Sequence, residues 1–246
     1  MLRIGKVSYL NTVPLFYRWD TTEVELVEGH PAQLVQQLRE GAIQAGIVSS
    51  VEYLQNPQSY RLTPGVSVSC LKKACSVLIF SRKPMRQVST LYLTPASLTS
   101  RALALYLFRK LYNSKPKTVE DRDLAEGVLL IGDEALREKF SARWPFVYDL
   151  GELWHSLHGL PFVFALFLVR RDAPEGLEVF ISEQCQRSKK AFFEDLQEGR
   201  VRAGDYPEPF LKEYFTSCLD YGLDRRALQS LETFAEALKE LHEEWC

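Results

Sequence analysis

Short apolar runs alternate with helical stretches through the first two thirds of the chain. LRIGKV (2–7) reads as a strand, and TEVELVEG shows a period of two, with Val24 and Leu26 between charged residues. HPAQLVQQLREG changes to the helical period: Pro31 sits in the first turn, Leu34, Val35 and Leu38 share a face, and Gly41 ends it. IQAGIVSS follows as a buried strand whose end carries Ser49 and Ser50. This is a β-α-β unit with polar residues at the carboxyl end of a strand, the edge where open parallel sheets bind ligands.

ACSVLIFSRKP reads as a long strand ending at Pro84, and STLYLTPAS as another that leads into the helix LTSRALALYLFRKLY. GVLLIGDEAL repeats the logic, with a turn at Gly132 and a helix started by Asp133. FVYDLGELWHSLHG is a short strand and a helix closed by Gly159, and PFVFALFLVRR is a second long strand. After Pro174 the pattern is helical, in stretches near 177–196, 210–219 and 226–245. The long strands, about 76–82 and 162–170, bracket a self-sufficient α/β block. The expected fold class is therefore α/β with two lobes, two hinge strands and a cleft between the lobes, a favoured place for a small ligand. One continuous sheet fits the same periodicity. The expected first lobe is 1–80 plus 167–246, completed by the C-terminal helices; the inserted second lobe is 81–166.

Composition narrows the function classes. Hydrophobic residues make up 46% of the 246 and charged residues 25%, as in ordinary globular proteins. A net charge of −2 supplies no electrostatic footprint for nucleic acid or an anionic membrane, so neither is expected as a partner. The longest apolar run, around 160–169, falls short of the roughly 20 residues of a membrane-spanning helix. The chain start lacks the basic, apolar and small-residue pattern of a signal peptide. The five cysteines are scattered without CxxC spacing, and Cys70 and Cys75 read as small buried hydrophobes of a reduced compartment. The expected location is cytoplasmic. Monomer and homodimer both fit.

No GxGxxG, GxxxxGK[ST], GxSxG or HExxH motif is present, so no nucleotide or metal cofactor is expected. His155 and His158 lie three apart on a helix without a third ligand at a convincing spacing, and read as a surface or half-buried pair. What remains is a set of small polar groups at strand ends. Asn11 follows the first strand, Ser49 and Ser50 follow the third, Ser76 begins the first long strand, and Ser97, Thr99 and Ser100 start a helix. Asn11, Ser97 and Thr99 fit helix caps, and Ser49 and Ser50 fit turn formers. The same residues also fit a neutral cradle in which hydroxyls and helix N-termini hold carboxylates without lysine or arginine. Glu52, Asp133 and Asp149 are weaker candidates, the two aspartates reading first as caps.

Six segments in this order, IGKVSYLNTVPLFY, AGIVSSVEYL, CSVLIFSRKP, LTPASLTSRALALYL, VLLIGDEAL and VYDLGELWHSLHGLPFVFALFLVRR, resemble the chorismate dehydratase family of the futalosine route to menaquinone. The resemblance covers most of residues 1–171. It implies a fold like that of type II periplasmic binding proteins and a hydro-lyase that converts chorismate to 3-[(1-carboxyvinyl)oxy]benzoate, with no cofactor. Carried over, the catalytic asparagine falls on Asn11, as an orienting hydrogen-bond donor, and the catalytic serine on Ser76. Ser49, Ser50 and Val51, with Ser97, Thr99 and Ser100, match segments that wrap the substrate. Leu98 departs from the family's arginine. The sister dihydroxynaphthoate synthases carry a histidine base after the strand that here reads LLIG; this chain has Gly132 there. A cytoplasmic carboxylate-binding protein of the same fold is the alternative from another class.

Overall fold

The computed structural model describes residues 1–204 and 206–243. Its ten strands among these residues are β1 (Leu2–Val7), β2 (Val24–Gly29), β3 (Ala45–Ser49), β4 (Tyr60–Cys70), β5 (Val77–Ser81), β6 (Thr90–Leu93), β7 (Lys117–Val119), β8 (Gly127–Ile131), β9 (Phe146–Asp149) and β10 (Phe162–Arg170). The α-helices are α1 (Val13–Phe16), α2 (Pro31–Glu40), α3 (Ser50–Gln55), α4 (Leu98–Tyr112), α5 (Gly132–Phe140), α6 (Leu150–His158), α7 (Leu177–Gln197), α8 (Glu208–Glu213) and α9 (Arg225–Glu243). The chain divides into two units: Met1–Ser69 with Val163–Asp224, and Cys70–Phe162 with the C-terminal segment from Arg225.

The first unit holds a five-stranded sheet in the order β2-β1-β3-β10-β4. β1 runs parallel to β2 and β3, and β10 runs antiparallel to β3. Every residue of β3 is buried, which explains its unbroken apolar run: both faces are covered. α2 lays Leu34, Val35 and Leu38 inward, as its spacing requires. α1 and α7 pack through aromatic side chains, with Tyr17 edge-on to Phe192 at 5.4 Å. The Tyr17 hydroxyl donates to the buried Asp195 carboxylate at 2.7 Å, and Arg18 and Arg200 pair with the same carboxylate. No element was expected from the sequence over the segment that forms β4, which contains Pro64 and Gly65. It lies at the sheet edge, where a proline costs no ladder bond.

The second unit repeats the plan with the order β7-β6-β8-β5-β9, β5 running antiparallel to both neighbours. Leu78 and Phe80 of β5 pack with Val128 and Leu130 of β8, and Trp144 closes that cluster. Gly132 starts α5 at φ +58, a left-handed conformation that glycine tolerates, so the strand passes into the helix without a loop residue.

Two boundaries differ from the sequence expectation. The first passage between units lies at Ser69–Cys70, at the end of β4; β5, expected to cross, belongs wholly to the second sheet. The last helix, expected to complete the first unit, belongs to the second. The reason is Trp154, which is fully buried. Its ring meets Phe162 at 5.0 Å and Phe234 of α9 at 5.8 Å, and its Nε1 donates to Ser230 at 3.1 Å. Burying so large a surface outweighs the chain order. The end expected for this helix at residue 245 lies outside the described residues. Cys70 and Cys185 are buried free thiols, whereas Cys75 is disulfide-bonded, which corrects the reading of Cys75 as reduced. Spacing along a chain cannot reveal such bonding. No helix among the described residues is long and apolar enough to cross a membrane.

Trp154→Ala should destabilise the protein by about 3–5 kcal/mol, read as a fall in the melting temperature. Glu126 accepts from Lys83 Nζ at 2.5 Å and from the Ser89 amide at 2.8 Å, which lower its pKa from 4.5 to about 2. A lowered carboxylate stabilises the fold above its unfolded pKa and loses that contribution as the pH falls through the folded one. The melting temperature should therefore drop between about pH 4.5 and pH 2, and Glu126→Gln should flatten that drop.

Candidate functional site

In the first unit, β1 ends at Val7 and the chain enters a 3₁₀ turn at Leu10–Thr12. Thr12 Oγ1 closes the turn by donating to the Val7 carbonyl at 2.7 Å and to that of Tyr9 at 3.0 Å. Asn11 caps nothing: Tyr9 holds the N-cap position, and no side chain makes a capping bond there. The Asn11 backbone carbonyl accepts from the buried Tyr221 hydroxyl at 2.9 Å. Its side-chain Oδ1 is buried without a hydrogen-bond partner. Such an orphaned acceptor costs about 1–3 kcal/mol, so the fold gains nothing from it.

Ser49 is both the last residue of β3 and the N-cap of α3, without a side-chain capping bond. Ser49, Ser50 and Val51 are all buried, and Ser50 Oγ donates to the Val163 carbonyl at 2.9 Å. Glu52, next in sequence, is fully enclosed and fully used. Arg39 meets it at 2.9 and 2.5 Å, and the Tyr60 hydroxyl donates to it at 2.7 Å. Burial, then the Glu52 bond, pushes the Tyr60 pKa up. Glu52 anchors α3.

In the second unit Ser76 is buried immediately before β5. Its carbonyl accepts from the Gly132 amide at 2.8 Å, and its Oγ donates to the Ala74 carbonyl at 3.4 Å. Ser97 caps α4, accepting from the Ser100 amide at 3.2 Å, while Ser100 Oγ donates to Ser97 Oγ at 3.2 Å. Thr99 and Ser100 are buried on the opening turn and Leu98 faces solvent. Asp133 is not the cap expected of it; Ile131 holds that position and Asp133 lies in the first turn, a favourable place for negative charge. Asp149 does cap α6. Burial raises its pKa, against the backbone N–H groups that lower it.

The structure thus groups Asn11, Ser49, Ser50 and Val51 in one unit and Ser76, Ser97, Thr99 and Ser100 in the other. His158 packs on Trp154 and its Nε2 lies 3.1 Å from the Tyr106 hydroxyl, and burial lowers its pKa. No group of three metal-ligating side chains occurs among the described residues. A cavity of about 790 Å³ in the first unit has other walls, including Arg39, Glu52, Tyr60 and Arg170. Among its charged walls, Arg39 pairs with Glu52 and Arg170 with Asp172, and Arg171 donates to the Gln58 and Tyr60 carbonyls. Sequence reasoning missed Tyr221, which supports Asn11 from 210 positions away; nothing local marks it.

A family model described as menaquinone biosynthesis matches residues 2–240. A chorismate dehydratase from Thermus thermophilus is 28% identical over 258 aligned positions, covering 96% of this chain and 94% of that protein. One from Campylobacter jejuni is 26% identical, covering 97% and 98%. Among solved structures, a Candida albicans protein described as having the generic periplasmic binding protein fold aligns with a TM-score of 0.68 at 9% identity, covering 96% of this chain and 90% of that one.

Ser97→Ala removes the α4 cap and should cost about 1 kcal/mol, lowering the melting temperature by about 2–4 °C in calorimetry.

Proposed function

The chain belongs to the menaquinone biosynthesis family, and from that premise we propose that it is a hydro-lyase that dehydrates chorismate to 3-[(1-carboxyvinyl)oxy]benzoate. The observation that carries this reading to the site is the buried, unpartnered Asn11 Oδ1 at the end of β1. The reaction is a 1,2-elimination. The C3–H electron pair becomes the new ring double bond, the C4–O bond breaks, and the proton and hydroxide leave together as water. Aromatisation supplies the driving force, so the protein's task is orientation and placement of charge.

Asn11 and Ser76 bind and orient a carboxylate or the departing hydroxyl. The side-chain amide of Asn11 offers both an acceptor and donors, so it serves either group. Ser49, Ser50 and Val51, with Ser97, Thr99 and Ser100, anchor the dianion through hydroxyls and helix-opening amides. Glu52 and Asp149 are each saturated with donors, which supports a substrate-assisted route in which the enolpyruvyl carboxylate takes the C3 proton. Gly132, standing where the sister enzymes have a histidine base, supports the dehydratase over that activity. The same reading places the step in the cytoplasm, in the futalosine route.

Incubation with chorismate, followed by ultraviolet absorbance and mass spectrometry, should show the diene replaced by a benzoate lighter by one water. Chorismate that binds and persists unchanged would assign the chain to the binding proteins. Asn11→Ala and Ser76→Ala should each lower kcat by about 100-fold, and wild-type rates in both would remove them from the chemistry.

A further inference from the structure

Asp149 sits at the end of β9, the strand paired with β5, and its register partner is Leu78, two residues beyond Ser76. Its carboxylate accepts four backbone N–H groups. Gly151 and Glu152 donate from the start of α6, at 2.9 and 3.2 Å to Oδ1. The other two donors belong to the turn just before Ser76: the Ala74 amide at 2.9 Å to Oδ1 and the Cys75 amide at 2.7 Å to Oδ2. A helix cap needs only the first pair; the second pair holds a different segment of chain.

That segment needs holding. Cys75 has φ +62, a left-handed conformation that residues with a side chain rarely adopt. Gly151 presses on the same turn, since a Cβ there would lie 2.9 Å from the Ala74 amide nitrogen and 3.1 Å from the Lys72 carbonyl. Ser76 follows at once, and the Gly132 amide fixes its carbonyl at 2.8 Å. The serine is thus clamped on one side by Asp149 and on the other by the opening of α5.

We propose that Asp149 is the positioning residue for Ser76: its carboxylate holds the Ala74–Cys75 turn in its left-handed form and so sets where the Ser76 hydroxyl points. The proposal rests on the reading of Ser76 as a group that touches substrate. Only a carboxylate serves, because both oxygens must accept. In Asp149→Asn, an NH₂ in place of Oδ2 faces the Cys75 amide and one in place of Oδ1 faces the Ala74, Gly151 and Glu152 amides, so the turn meets a donor in either orientation.

The test uses the full chain in reducing buffer, so that the bonded Cys75 does not itself restrain the turn. Asp149→Asn should lower kcat on the order of 100-fold with little change in KM, as displacement of a reacting group does. Combined with Ser76→Ala, it should add no further loss, because it acts through that serine. Ser230→Ala, which removes the Trp154 bond elsewhere in the same unit, should leave kcat unchanged. Amide exchange in the peptide spanning 70–77 should speed up in Asp149→Asn, and likewise in Gly151→Ala, the second variant should the first fail to fold. Unchanged exchange in that peptide overturns the proposal whatever the substrate is. Wild-type kcat in the variant, or a multiplicative loss in the double variant, overturns it as well. A wild-type protein that leaves chorismate intact overturns the dehydratase reading instead, and the exchange result still decides the role of Asp149.

Discussion

Among the described residues, three strands run into helices with no residue between them: β3 into α3, β8 into α5 and β9 into α6. A peptide group at such a junction leaves the strand ladder and enters a helix whose first amides have no intrahelical acceptor. Each junction must therefore be supplied locally. Ser49 and Ser50 stand at the first, Gly132 turns the second with φ +58, and Asp149 fills the third with its carboxylate. Much of the candidate site sits on these junctions. The polar groups that make the turns possible, or that sit beside them, are the groups assigned to the substrate or to holding the substrate's contacts in place.

The division of labour among polar side chains follows from the cost of burial. Carboxylates in the interior are surrounded by donors: Glu52 by Arg39 and Tyr60, Asp195 by Tyr17, Arg18 and Arg200, and Asp149 by backbone amides. Such groups rigidify the elements they tie together. The small neutral groups contrast with them. Asn11 has its backbone fixed by Tyr221 while its side-chain oxygen is left over, which is what a binding group on a rigid support should look like. A dianionic substrate suits hydroxyls and amides, because they bind carboxylates without the desolvation cost of a buried cation.

How much of this could be read along the chain differs from residue to residue. β1, α2, β3 and β10 follow from periodicity and punctuation, because the local pattern and the burial agree. β4 and β7 are edge strands, and an edge tolerates proline, glycine and charge, so their sequences carry little strand signal. Ser97 as a cap was legible, since the rule for that position is local. Asn11 was legible as a polar group at a strand end, but only the folded turn shows that it is not a cap and that its Oδ1 is buried without a partner. Asp149 was legible as a cap of α6, whereas its hold on Ala74 and Cys75 spans about seventy residues and leaves no local trace.

The sequence by itself determined the α/β class, the strand–helix alternation, the polar residues at strand ends and, through six ordered segments, the family. These depend on period, turn chemistry and residue order, all of which are local. Tertiary structure alone decided which unit the last helix joins, where the chain passes from one unit to the other, and which polar groups are used up in the fold. Those outcomes depend on which large side chains bury one another and which distant donors reach a given acceptor. Trp154 drawing in Phe234 and Asp149 reaching Ala74 are both settled by burial and hydrogen bonding across long stretches of chain, which no pattern of neighbours encodes.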